Sequence, residues 1–334
     1  MRPLKCLLSF LAGLFAVAAI LFPLLPGDEG APFDEAFRLA TQCELLFVGP
    51  SYVKFGIVPE AFEEESKRLG HPHRICKYAR EGLRGYELRH DLELVMKHPF
   101  PRLEAVVIDI TLPRKDIGFR PENWFTQRVV RWHTWGAMAW LKGHYSENGD
   151  SWQKEAPRLL AHVEHLAMNY LGIGRGGALL MEARALEALF FGPARKRSKL
   201  SVAAEQAELP RSQREPNVPE YQRVRDELAA QKSGMRKQGE LGDDRWPREL
   251  EAIVREAGHE PIFLYSPVLT HKPPPRLERP GQRPLVFLDF EDPLRFPELY
   301  EYSARAKGSH LGVRGSVLFS RGLARELARW EQGR

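Results

Sequence analysis

Ser51 and His310 are the residues whose types and surroundings are suited to nucleophilic chemistry. A serine hydroxyl is a weak nucleophile at neutral pH unless a base takes its proton. Histidine is the usual base. Ser51 ends the run Glu44-Leu-Leu-Phe-Val-Gly-Pro-Ser51, an apolar stretch stopped by Gly49 and Pro50. His310 sits in Ser309-His310-Leu311, just before an amphipathic stretch over 314–329. Taken singly, the serine reads as a turn residue and the histidine as a helix-start or core residue. Their joint meaning depends on whether the elements around them end at the same edge of one sheet.

The pattern of elements says that they do. Glu44–Val48 reads as a first strand and Val58–Leu69 as a helix stopped at Gly70. His73–Tyr78 reads as a second strand, and Tyr86–Lys97 as a helix with Leu88, Leu92, Val95 and Met96 on one face. Leu103–Ile110 is a nearly continuous β-branched run, as in a central parallel strand covered on both sides. After a long interruption come a helix over 246–257, a strand over Glu260–Tyr265, a strand over Leu285–Asp289 and the closing helix over 314–329. In that helix Val317, Leu318, Leu323 and Leu327 are expected to face inward. This alternation predicts a flavodoxin-like three-layer α/β/α fold with a central parallel sheet. In such sheets, ligands bind at the carboxyl ends of the strands. Ser51, after the first strand, and His310, after the last, would both lie there.

The interruption, from 113 to about 245, lacks a clear strand. Helices are expected over Trp124–Leu141, with its many tryptophans, over 156–171 and over 178–191. Residues 193–242 read as an exposed, partly flexible insert, with Arg195–Lys199 a solvated loop. His162 and His165 lie one turn apart without an evident third metal ligand, and read as solvated or partly buried. Gly172-Ile-Gly174-Arg-Gly176-Gly177 follows a helix rather than a strand, so it fails as a dinucleotide motif. His71 and His73 read as surface residues of a turn. The organisation expected is an anchor over 1–30, a first α/β part over 31–112, the insert over 113–245 and a second α/β part over 246–334.

The leader is basic at Arg2 and Lys5, then apolar from Cys6 to Leu25. A run of about 20 apolar residues can span a bilayer as a helix. The flanking cations favour a cytoplasmic N-terminus, with the main domain extracytoplasmic. It reads as an uncleaved anchor; the rival reading is a cleaved signal peptide. The net charge of +5, from 49 Lys+Arg against 44 Asp+Glu, is modest and comes with no nucleic-acid-reading motif. No cofactor or metal is expected. Of the three cysteines, Cys6 is in the leader. Cys43 and Cys76 read as two small buried residues, although a bridge between them is an alternative.

Three short blocks, in order, resemble the SGNH/GDSL-type hydrolases. Gly49-Pro50-Ser51 is similar to their first block, Gly82-Leu-Arg-Gly85 to their second and Ser309-His310-Leu311-Gly-Val-Arg-Gly315 to their fifth. The resemblance covers about 43–112 and 246–330, and is nearest to the membrane-anchored branch. It implies acyl transfer by an esterase or acyltransferase on an acylated glycan or lipid. Ser51 would be the nucleophile and His310 the base. The Ser51 and Gly85 backbone N–H groups, or that of Gly82, would face the oxyanion. Two departures stand out. Lys307 occupies the place of the acid three residues before the histidine, which leaves Asp289, Glu291 and Asp292 as substitutes. No asparagine follows the third strand, where Thr111 is the candidate donor.

Overall fold

A computed structural model describes residues 13, 42–80, 82–83, 85–111, 132–147, 152–170, 222–223, 225–230, 245–268, 283–306 and 310–333. Five strands form one all-parallel sheet: β1 (Leu45–Gly49), β2 (Ile75–Ala79), β3 (Ala105–Asp109), β4 (Glu260–Tyr265) and β5 (Phe287–Asp289). Their order is β2-β1-β3-β4-β5. The run of apolar residues in β1, β3 and β4 follows from burial on both faces, with no side left for polar residues to alternate onto.

Helices cover both faces. On one side, α1 (Ser51–Gly56) and α2 (Pro59–Arg68) pack with the last helix, α7 (Val313–Gln332); on the other, α3 (Gly85–Met96) packs with α6 (Arg245–Glu256). Phe47, Val107 and Ile262 meet Phe62, Phe319, Leu323 and Leu327 on the first face. Leu228, within the stretch expected to be an exposed insert, is buried in this same core. The inner face of α7 also differs from expectation. Val317 and Leu318 are only half-buried, whereas Ser316, Phe319 and Ser320 are buried. The small hydroxyl residues face inward because they serve backbone groups of α1 and its exit, as described below.

Several charged groups tie α7 down. Glu65 on α2 is buried, and hydrogen bonds from Arg68 first and Arg325 second hold its carboxyl at about 2, outweighing the cost of burial. His71 Nδ1 and His73 Nε2 lie 2.9 and 2.7 Å from the Glu331 carboxylate. These two residues are therefore fasteners between the turn before β2 and the end of α7, and are half-buried rather than surface residues.

Cys43 and Cys76 are joined by a disulfide, not left as two separate thiols. Cys76 pairs with Leu46 in the parallel β1–β2 register, and the Cα atoms of the two cysteines are 5.8 Å apart. That separation suits a bridge. Cys43 lies before β1, outside the ladder, so the path of the chain entering that strand, which the sequence does not show, sets the approach.

A separate unit holds α4 (Trp135–Glu147) and α5 (Trp152–Tyr170). Residues 132–134 of the Trp-rich stretch are not helical, and the expected helix over 178–191 lies outside the described residues. His162 and His165 are fully buried here together with His133, contrary to the solvated or partly buried reading. His133 Nε2 and His162 Nδ1 are 2.8 Å apart, Asn169 donates to the His133 carbonyl at 3.0 Å, and the Trp132 ring stacks on His133. Burial, and then the neighbouring His165, push His162 down to about 3, so it is neutral. Among the described residues no group of three His, Cys, Asp or Glu side chains is arranged to hold a metal.

The apolar leader, apart from Gly13, and Lys307 also lie outside the described residues. Among the described residues no helix is long and apolar enough to cross a membrane.

Candidate active site

Register places the candidate residues along one edge. Gly49 pairs with Ala79, Asp109 with Leu264 and Tyr265 with Asp289, so β1 to β5 all finish together. Ser51 follows β1, Thr111 follows β3, Ser266 follows β4 and Asp289 closes β5.

Pro50 is extended, at φ −78° and ψ −160°, and its carbonyl accepts the N–H groups of Val53 and Lys54 at 3.1 Å. It therefore ends β1 and starts α1 in one step, with Ser51 as the first helical residue. His310 arrives from the other end of the chain. Its carbonyl accepts the Ala306 N–H at 3.0 Å, and its neighbour Leu311 bridges to Arg305. Arg305 donates to the Pro267 carbonyl at 2.7 Å and lies over the Tyr300 ring, which secures this loop against the end of β4. The outcome is a His310 Nε2 to Ser51 Oγ separation of 2.9 Å, with both residues half-buried. That is within the reach required of a general base.

The helix carrying Ser51 is held by side chains from two other elements. An α-helix leaves its last carbonyls without internal partners. Here Lys77 on β2 donates to the Lys54 and Ile57 carbonyls at 3.0 and 2.7 Å. Ser316 on α7 donates to the Phe55 carbonyl at 3.0 Å, and Ser320 accepts the Val58 N–H at 2.8 Å. A charged lysine that is only 7% exposed is costly unless well bonded, and these carbonyls supply the bonds. Its cation also lies at the favourable end of the helix dipole. Neither Lys77 nor the two serines stands out in the sequence, because a lysine in a strand and serines in an amphipathic helix usually read as solvent-facing.

Behind Ser51 lies a polar network. Asp109 is 1% exposed and accepts hydrogen bonds from Ser266 Oγ at 2.5 Å and from the Thr111 N–H at 2.8 Å. Thr111 Oγ1 accepts the Ser266 N–H at 2.7 Å. A Cβ on Gly49 would lie 2.7 Å from Asp109 Cβ, so glycine is what allows β1 to pass this close before the turn. Burial pushes the Asp109 carboxyl up to about 6, against the lowering effect of its hydrogen bonds.

This raised value has a signed consequence. The stability linked to Asp109 is fully present below its ordinary value of 3.8 and is lost as pH rises through about 6. The rise from 3.8 to about 6 is worth about 3 kcal/mol over its whole span. Asp109→Asn keeps the shape and cannot ionise. Between pH 4 and 7, its stability relative to wild type should therefore rise by about 2 kcal/mol. Paired urea titrations check this, and a flat difference refutes it.

The other candidates are placed as follows. Gly85 opens α3 with φ 52°, a conformation that a side chain disfavours, and Gly82 has φ 67°. Both follow β2, the neighbour of β1. Asp289 Oδ1 accepts the Glu291 N–H at 2.9 Å, and Asp292 Oδ1 accepts the Leu294 N–H at 2.9 Å. Each carboxylate thereby shapes the turn after β5. Glu291 and Asp292 are buried. The pairing the geometry defines is Ser51 with His310.

Sequence reasoning missed the surroundings of the imidazole. Tyr52 and Phe55 of α1 flank it, and with Gly56, Ser266, Pro267, Leu311 and Phe319 they line a small cavity beside His310. The usable signal was the helical spacing of Tyr52 and Phe55 directly after Ser51. The chain matches no family model, no curated protein and no solved structure.

Proposed function

We propose that this chain is a membrane-anchored, extracytoplasmic esterase or acyltransferase of SGNH type, with a flavodoxin-like three-layer core, a large helical insert and a transmembrane leader. The observation that carries the reading is the 2.9 Å approach of His310 Nε2 to Ser51 Oγ at the carboxyl edge of a parallel sheet. The strand order is one in which ligands bind at that edge. The Cys43–Cys76 bridge favours an oxidising compartment, in keeping with the charge pattern of the leader.

In the proposed reaction Ser51 Oγ attacks the carbonyl carbon of an acyl ester, and its proton passes to His310 Nε2. The backbone N–H groups of Ser51 and Gly85 are the assigned oxyanion donors, with the Thr111 hydroxyl a further candidate. The bond from the carbonyl carbon to the leaving alcohol then breaks, and the alcohol takes the proton from His310. Water, or a second alcohol in an acyltransferase, attacks the Ser51 ester by the reverse sequence. An acylated glycan or lipid fits an anchored enzyme outside the cytoplasm.

A fluorophosphonate tests this directly. Ser51 should displace fluoride and retain the phosphonyl group, found by mass spectrometry on the Ser51 peptide and absent from Ser51→Ala. Turnover of a short acyl ester should disappear in the same variant. An unlabelled wild-type protein would favour a second reading, a non-catalytic envelope scaffold. Lys307 in the acid's position and the lack of an asparagine just after β3 speak for that reading.

A further inference from the structure

The imidazole of His310 is bounded by two rings of the helix that carries Ser51. The Tyr52 ring centroid is 5.1 Å from that of His310, with the planes 35° apart. Phe55 lies 6.3 Å away at 73°, an edge-to-face arrangement. Residues three apart in a helix share a face. Tyr52 and Phe55 therefore project together towards the residue that Ser51 must meet. Phe55 is 43% exposed and is absent from the hydrophobic core, so core packing does not account for it.

We infer that Tyr52 and Phe55 are positioning residues for His310, an inference that rests on the Ser51 reading above. They limit rotation of the imidazole, so that Nε2 stays aimed at Ser51 Oγ. In a serine triad, the acid performs this orienting task. In this sequence a lysine stands at the position where the resemblance puts that acid. The nucleophile and two walls of the base's compartment thus belong to one six-residue helix. Because Lys77, Ser316 and Ser320 fasten this helix and its exit, the geometry of the pair is set by one fixed element.

The test uses the full chain and four substitutions: Tyr52→Leu, Tyr52→Phe, Phe55→Leu and Phe55→Tyr. Fluorophosphonate labelling of Ser51 should slow about tenfold in Tyr52→Leu and about threefold in Phe55→Leu. Tyr52→Phe and Phe55→Tyr should label like wild type, since each keeps the ring. Independently of reactivity, the imidazole protons of His310 should show ring-current shifts by NMR in wild type and Tyr52→Phe, and lose much of them in Tyr52→Leu. Wild type that labels at Ser51 while Tyr52→Leu labels equally fast overturns the positioning role. Imidazole shifts that do not move in Tyr52→Leu overturn the contact itself. Wild type that does not label at all, with the ring-current shifts present, removes the Ser51 chemistry and the catalytic meaning of the clamp with it.

Discussion

His310→Ala should slow phosphonylation of Ser51 by 10²–10⁴-fold, the range typical of a lost general base. The serine itself remains, as do the turn at Pro50 and the backbone donors, so the loss isolates removal of the proton. Burial explains why the fold should survive. α7 is held by Phe319, Leu323 and Leu327 in the core and by Glu65 through Arg325, none of which touches the histidine's task. His310 itself is half-buried at the edge of the sheet. Circular dichroism and the thermal midpoint should therefore stay close to wild type while the labelling rate collapses. An unchanged labelling rate in a folded His310→Ala protein would sink the base assignment.

The second large effect concerns stability. Replacing Cys43 and Cys76 together by alanine should lower the free energy of unfolding by about 4 kcal/mol. This follows from the chain-entropy cost of a loop closed by residues 33 apart in sequence. The bridge joins Cys43, two residues before β1, to β2, so its loss frees the entry to the strand that leads to Ser51. In denaturant, reductant should weaken wild type to the level of the variant and leave the variant unmoved. A thiol count gives a separate check. Unfolded, unreduced protein should show one reactive thiol, that of Cys6, whereas three would refute the bridge.

Much of the sheet was legible because parallel strands buried on both faces have little choice of residue. β1, β3 and β4 appear in the sequence as apolar runs with nearly correct limits. β5 was read as five residues, but only Phe287–Asp289 pair with β4, since Leu285 and Val286 lie before the ladder begins. Ser51 and His310 were legible through what surrounds them in sequence: a strand stopped by Gly-Pro before one, and a helix after the other. Residues whose role depends on contacts from elsewhere in the chain were not. Lys77 looks like a strand's solvent-facing residue until the carbonyls of α1 are placed beside it. Ser316 and Ser320 look like the polar side of α7, yet they face inward because that side meets backbone, not apolar surface. Asp109 reads as a strand end, and only the positions of Ser266 and Gly49 reveal a sealed polar network. Pairing of the cysteines needed the path of the chain into β1, which periodicity does not supply.

The separation of Ser51 and His310 by 259 positions carries a kinetic meaning. A chain emerging from its point of synthesis makes the serine well before the histidine. Contacts between segments so far apart pay a large loop-closure entropy before they gain anything. α1 can form locally, but its carbonyls are served by α7, and its histidine partner lies just before that helix, made much later. Docking of that helix therefore completes both the core and the reactive pair in a single late event. A nascent or truncated chain that stops short of His310 and α7 holds a serine with no base, so reactivity reports on whether α7 has found its place.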